Sequence, residues 1–301
     1  MNEINEDRAP RPAAPVRRPR RRLAWAALPV LAGGLALALV LPSGGGPAPT
    51  AGAQGAPAGV GTPGSATALL ERVADVAAAQ PVATVKDGQF AYVKSLVQYS
   101  MVATDSSMVP VRVTLGKLRS RQTWTSADGS RPGLILDPDG PQPKAVTDPV
   151  RHPSMADPTP DFVAALPTDP DALLKLIYAA GPTEQAKGPD QQAFAKIGDL
   201  LRNQVAPPAV SAALYRAGAK IPGVTLVEDA TDASGRHGLA VAEQVGDLQQ
   251  QWIFDPVGYA FLGDREVVTT AGPWGKPGDV ISQSAVLGRA AVAKAGDLPR
   301  G

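Results

Sequence analysis

Cysteine is absent and histidine occurs only at His152 and His237, so the usual nucleophiles, soft metal ligands and near-neutral proton relays are almost missing. That excludes disulfide frameworks, thiol catalysis, and Cys-ligated zinc or iron–sulfur centres. His152 stands in a Pro/Asp-rich stretch with Asp148 and Asp157 nearby. A general base or weak metal site there needs all three to converge; otherwise His152 is a solvated loop residue. His237 follows a turn and reads as the end of a strand, with pH sensing as the functional alternative. The pair Asp169/Asp171 resembles an acid–base pair, but helix capping already accounts for both. Asp137-Pro-Asp139-Gly140 lacks the third oxygen ligand and closing Glu of a calcium loop, and reads as a proline turn. Gly275-Lys276 has Thr270 and Pro277 where a phosphate loop needs Gly and a hydroxyl. No Gly-x-Ser-x-Gly elbow or His-Glu-x-x-His pair is present. The expectation is a protein without catalytic activity, cofactor or metal. An envelope hydrolase using the loop carboxylates is the enzymatic alternative.

One candidate binding feature is aromatic. Trp252, Phe254 and Tyr259 flank the Asp255-Pro256 turn, and with Trp124 they are the candidate lining of an apolar ligand groove. Core packing of alternate strand positions is the competing reading.

The elements that must position these residues read as strands, then helices, then strands. Leu69, Leu70, Val73, Val76 and Ala77 share one face of an amphipathic helix over 67–79, stopped by Pro81. Strands are expected at 89–102, 109–115 and 117–125. In the third, Arg119, Arg121 and Thr123 face one way while Leu118, Gln122 and Trp124 face the other, as in a sheet with one wet face. Prolines make 132–160 a loop. Asp169 as N-cap and Pro170 at the first helical position start a helix that ends at Gly181. Further helices begin near Asp190, with Phe194, Ile197, Leu200 and Leu201 on one face, and at Pro207-Pro208. Strands return at 224–229, 238–245, 249–254, 259–270 and 280–287. Without a repeating strand–helix alternation or a Gly-rich turn, a doubly wound parallel sheet is disfavoured. The fold class is α+β: one curved antiparallel sheet built from both halves of the domain, with helices on one face.

Before this domain, residues 1–22 hold seven arginines against three acids, and Arg17, Arg18, Arg20, Arg21 and Arg22 directly precede an uncharged apolar run at 23–41. A helix of that length covers roughly the 30 Å hydrocarbon core. The basic flank places residues 1–22 in the cytoplasm, 23–41 as a transmembrane helix, and the chain beyond outside. A cleaved export signal is the alternative, with Ala51-Gly52-Ala53 as its cleavage site. Gly, Pro and Ala fill 18 of the 23 positions from 42 to 64, none of them charged, so a disordered linker is expected there, followed by an extracytoplasmic domain at 65–301. Anionic inner-leaflet lipid accounts for the arginines better than nucleic acid does. The bilayer is thus the expected partner, with an envelope ligand or a regulatory membrane protein as a further one.

Leu166-Pro-Thr-Asp-Pro-Asp-Ala-Leu-Leu174, Ala212-Ala-Leu-Tyr-Arg-Ala217, Ile221-Pro-Gly-Val224, Gly235-Arg236, Asp255-Pro256 with Leu262-Gly263, and Gln89-Phe-Ala-Tyr-Val93 carry a combined resemblance. Together they resemble an uncharacterised actinobacterial family of membrane-anchored proteins, often encoded beside extracytoplasmic-function sigma factors. The resemblance covers roughly residues 66–270. It implies a cytoplasmic tail, one transmembrane helix and an outer domain with no established activity. Members generally carry a longer cytoplasmic segment; 22 residues, rich in arginine and proline, are too few for a helical sigma-sequestering domain. An outer sensor or accessory subunit is the role left by that difference.

Overall fold

A computed structural model describes residues 64–81, 84–106, 110–181 and 188–299. The basic tail, the apolar run at 23–41 and most of the linker lie outside the described residues. Among the described residues no helix is long and apolar enough to cross a membrane.

Helix α1 (Ala66–Ala78) opens the domain, its first turn capped by the Ser65 hydroxyl, which accepts from Ala68 N at 3.1 Å. Five strands follow: β1 (Phe90–Thr104), β2 (Pro110–Leu115), β3 (Arg119–Ser126), β4 (Gly133–Leu136) and β5 (Lys144–Thr147). Four helices come next: α2 (Pro160–Ala164), α3 (Pro170–Ala179), α4 (Pro189–Asn203) and α5 (Pro208–Gly218). Asp169 caps α3 as its spacing predicts, accepting from Ala172 N at 2.8 Å. The chain ends in a meander of β6 (Thr225–Thr231), β7 (His237–Val245), β8 (Leu248–Phe254), β9 (Phe261–Val268) and β10 (Val280–Val292).

The stretch 132–160, expected as loop, holds β4 and β5. Both are four residues long; β5 is the edge strand and β4 lies between it and β3, and the prolines fall outside these short ladders, where they cost no ladder hydrogen bond. The last strand runs five residues past its expected end, because pairing with β1 carries it through Gly288 and Arg289.

All ladders are antiparallel, in the order β5-β4-β3-β1-β10-β9-β8-β7-β6, with β2 paired to the far end of β1. The β1–β10 ladder is therefore the seam joining the two halves of the chain. Register shifts at Lys94/Ser95, Ile253/Phe254 and Val227/Ala230 bend the sheet. Its curvature is visible where the β6–β7 turn meets β9 and β10. Ala233 N donates to Ser284 O at 3.2 Å, and the Arg236 guanidinium bridges Leu262 O and Val286 O, each at 3.0 Å. In a flat sheet β7 and β10 would stand roughly 14 Å apart.

The helices cover one face. Leu69, Leu70 and Val73 of α1, Phe194 and Ile197 of α4, and Leu214 of α5 pack with Val93, Val241, Trp252, Phe254 and Val286 in the main core. Phe194 stacks on Trp252, ring centroids 3.8 Å apart and 11° from parallel. Two helical glycines permit this approach: a Cβ on Gly198 would lie 2.7 Å from Trp252 Nε1, and one on Gly218 2.8 Å from its Cζ3. A separate cluster of Phe90, Tyr92, Trp124, Leu134 and Val292 lies beneath the C-terminal segment, where Trp124 Nε1 donates to Asp297 O at 2.7 Å.

Candidate functional site: an apolar cleft beside the helical layer

Where α1 ends, three other parts of the chain come close. Pro207 and Pro208 halt the chain after α4, and Gln204 turns to extended backbone, so residues 204–207 form a short link into α5. The β8–β9 turn faces this link, and the C-terminal half of β10 supplies a further wall. They enclose a cleft of about 320 Å³, within the range of small-molecule sites. Val73, Val76 and Ala77 come from α1, Leu200 and Leu201 from α4, Val205 and Ala206 from the link, Ser211 and Tyr215 from α5. Gly258, Tyr259, Ala260 and Phe261 come from the turn, and Arg289 and Ala290 from β10.

The turn is built to present Tyr259. Asp255 Oδ1 accepts from Val257 N at 3.0 Å and from Gly258 N, while Tyr259 N donates to Asp255 O at 3.0 Å. This holds Tyr259 at φ +55°, and among the described residues it is the sole non-glycine in the left-handed region. An L residue there costs about 1–2 kcal/mol, and such strain concentrates at functional positions. Its ring receives the Arg72 guanidinium, 5.6 Å from the centroid.

Polar groups are few. Arg289 donates to Leu201 O and lies 5.9 Å from the Phe261 ring centroid. Burial pushes the Tyr215 hydroxyl up to about 12, with the positive charge of Arg289 acting in the opposite direction. The Gln204 amide, itself buried, donates weakly to Pro158 O at 3.5 Å, and its Oε1 has no partner among the described residues. The lining holds no carboxylate and no imidazole, so it offers nothing to move a proton at neutral pH. It can exclude water from an apolar body and orient that body by a few contacts. A larger depression, about 610 Å³, lies along Ala290–Ala293 and Asp297–Pro299. It is walled mostly by small side chains and runs up to the end of the described residues, so its boundary is incomplete.

Of the four aromatic residues expected in a groove, Tyr259 lines the cleft. Trp252 and Phe254 are fully buried in the helix–sheet core, and Trp124 is buried in the separate cluster under the C-terminal segment. The four do not come together. Asp148, His152 and Asp157 are exposed and form no metal-ligating group among the described residues. His237 opens β7 and meets Asp229 at 2.8 Å on the surface. Asp137 turns inward instead of reaching for a cation: its Oδ2 accepts from Arg119 at 2.9 Å and Arg121 at 3.0 Å. Arg17, Arg18, Arg20, Arg21 and Arg22 lie outside the described residues. Arg289 and the α4–α5 link were not expected at a site. An arginine among alanines in a strand is the one signal that marked Arg289.

No family model matches the chain, and no curated protein matches it. Among solved structures, a crystal structure of a LolA superfamily protein from Nitrosomonas europaea is similar at 11% identity, with a TM-score of 0.18. The match covers 78% of this chain and 95% of that one.

Proposed function

We propose that the chain is a membrane-anchored extracytoplasmic protein that works by binding, without catalysis, and that it holds an apolar ligand in the cleft between α1, the α4–α5 link and the β8–β9 turn. The observation that carries the reading is the cleft itself: about 320 Å³, lined mostly by apolar side chains, with the strained Tyr259 held over it. Support for the location comes from the five arginines ahead of the uncharged run 23–41. The linker at 42–64 gives the domain a reach of roughly 25 Å from the bilayer. The resemblance to envelope proteins encoded beside sigma factors favours a sensing or accessory role, in which a regulatory membrane partner reads the ligand-loaded domain.

The test is calorimetric unfolding of the full chain in lipid nanodiscs, with octanol as an apolar probe. A probe at tenfold excess over its dissociation constant stabilises the folded state by about 1.4 kcal/mol, a shift of about 3–5 °C. Ser211→Trp fills the cleft and should abolish the shift. Because bilayer partitioning is common to both proteins, an equal shift in the variant would contradict the reading.

A further inference from the structure

Among the residues that line the cleft, Arg289 alone is charged. Among the described residues it forms no ion pair, and neither does Arg72, which stacks on the Tyr259 ring of the same wall. By contrast, Arg119, Arg121, Arg202, Arg216 and Arg236 each meet a carboxylate. Arg289 uses one donor on the Leu201 carbonyl, and a guanidinium carries five N–H groups in a fork that fits two oxygens at once. The residue as a whole is reachable from solvent, while burial of its guanidinium against the cleft wall lowers its pKa from the ordinary arginine value. An apolar cavity bordered by an unpaired cation and no acid complements a molecule with an apolar tail and an acidic head.

We infer that the cleft takes an amphipathic anion, its tail among Val76, Leu201 and Phe261 and its carboxylate or phosphate head on Arg289. The inference rests on the proposed binding role and adds the chemistry of the ligand. Such a molecule arrives either free in solution or as a lipid drawn from the bilayer beneath the domain. The head group is the same in both cases.

The experiment compares octanoate with octanol as stabilisers of the full chain in zwitterionic nanodiscs, for the native protein and for Arg289→Gln and Arg289→Lys. Octanoate is expected to bind at least tenfold more tightly than octanol to the native protein. In Arg289→Gln that preference should vanish while octanol binding persists, and Arg289→Lys should restore part of it. Equal binding of the two probes to the native protein overturns the anionic head group and leaves the apolar cleft standing. Binding of neither probe overturns both. A second arm adds anionic lipid to the nanodiscs. If the bilayer is the source, that lipid alone stabilises the native protein and not Arg289→Gln. If the free molecule is the source, the anionic lipid leaves stability unchanged and octanoate still acts.

Discussion

Glu243 shows how a single side chain ties the stability of this domain to pH. It sits on the helix-covered face of β7, 8% exposed, opposite Gln250, and its Oε2 has no partner among the described residues. Burial, with Asp190 adding repulsion, raises its carboxyl from 4.5 to about 7. The folded chain therefore keeps a proton that the unfolded chain loses between those values. Stability falls as pH rises through this window, and the whole penalty is present above about pH 7. Glu243→Gln should gain about 2–3 kcal/mol over the native protein at pH 8, with the difference shrinking toward pH 4.5; denaturant unfolding across that range checks it. The alternation Leu239, Val241, Glu243 already placed this acid in line with core residues. What the spacing could not supply was the absence of a cation from the helix above it. Tyr259 is a similar case. Its place after Asp255-Pro256 and Gly258 announced a turn, but not that the turn would hold it at positive φ over a cleft.

At the scale of elements, the helices were the most legible part of the chain. Their start signals are local: Ser65 and Asp169 each accept from a backbone N–H three residues on, and the apolar faces follow from 3.6-residue spacing; the five-residue α2, capped by Thr159, was not among the expected helices. Strands were less so, because a four-residue strand such as β4 or β5 exists only by virtue of its neighbour. Burial of Trp252 and Phe254 was also a matter of element packing: two glycines on α4 and α5 let those helices close on the ring, a fit set by chain segments far apart in sequence. Gly198→Ala should drive a methyl into the Trp252 indole and cost about 1–3 kcal/mol, read as a lower unfolding midpoint. A half-buried control, Gly188→Ala, meets nothing within 4 Å and lies just ahead of α4. It should change stability far less.

The whole molecule is organised by its seam. Five strands from the first half and five from the second become one sheet through the β1–β10 ladder, so the last strand of the chain is what joins the two halves. Periodicity identified most strands and the fold class, but strand order depends on long-range pairing that no local pattern encodes. The cleft follows from that order: β10 brings Arg289 to α4 and to the β8–β9 turn, which are 88 and about 30 residues away in sequence. Its walls come from four separate stretches, which is why an aromatic cluster near one turn was only a partial guide. Because the chain has no native cysteine, a single thiol can report on the cleft and on its side of the membrane at once. The most direct measurement places Ala260→Cys in the full chain and labels intact spheroplasts with a membrane-impermeant maleimide carrying an environment-sensitive fluorophore. Prompt labelling is expected, with apolar emission that shifts toward that of water when octanoate displaces the fluorophore. Labelling only after lysis, or emission matching a Val257→Cys control at the exposed tip of the turn, would contradict an extracytoplasmic protein that binds in this cleft.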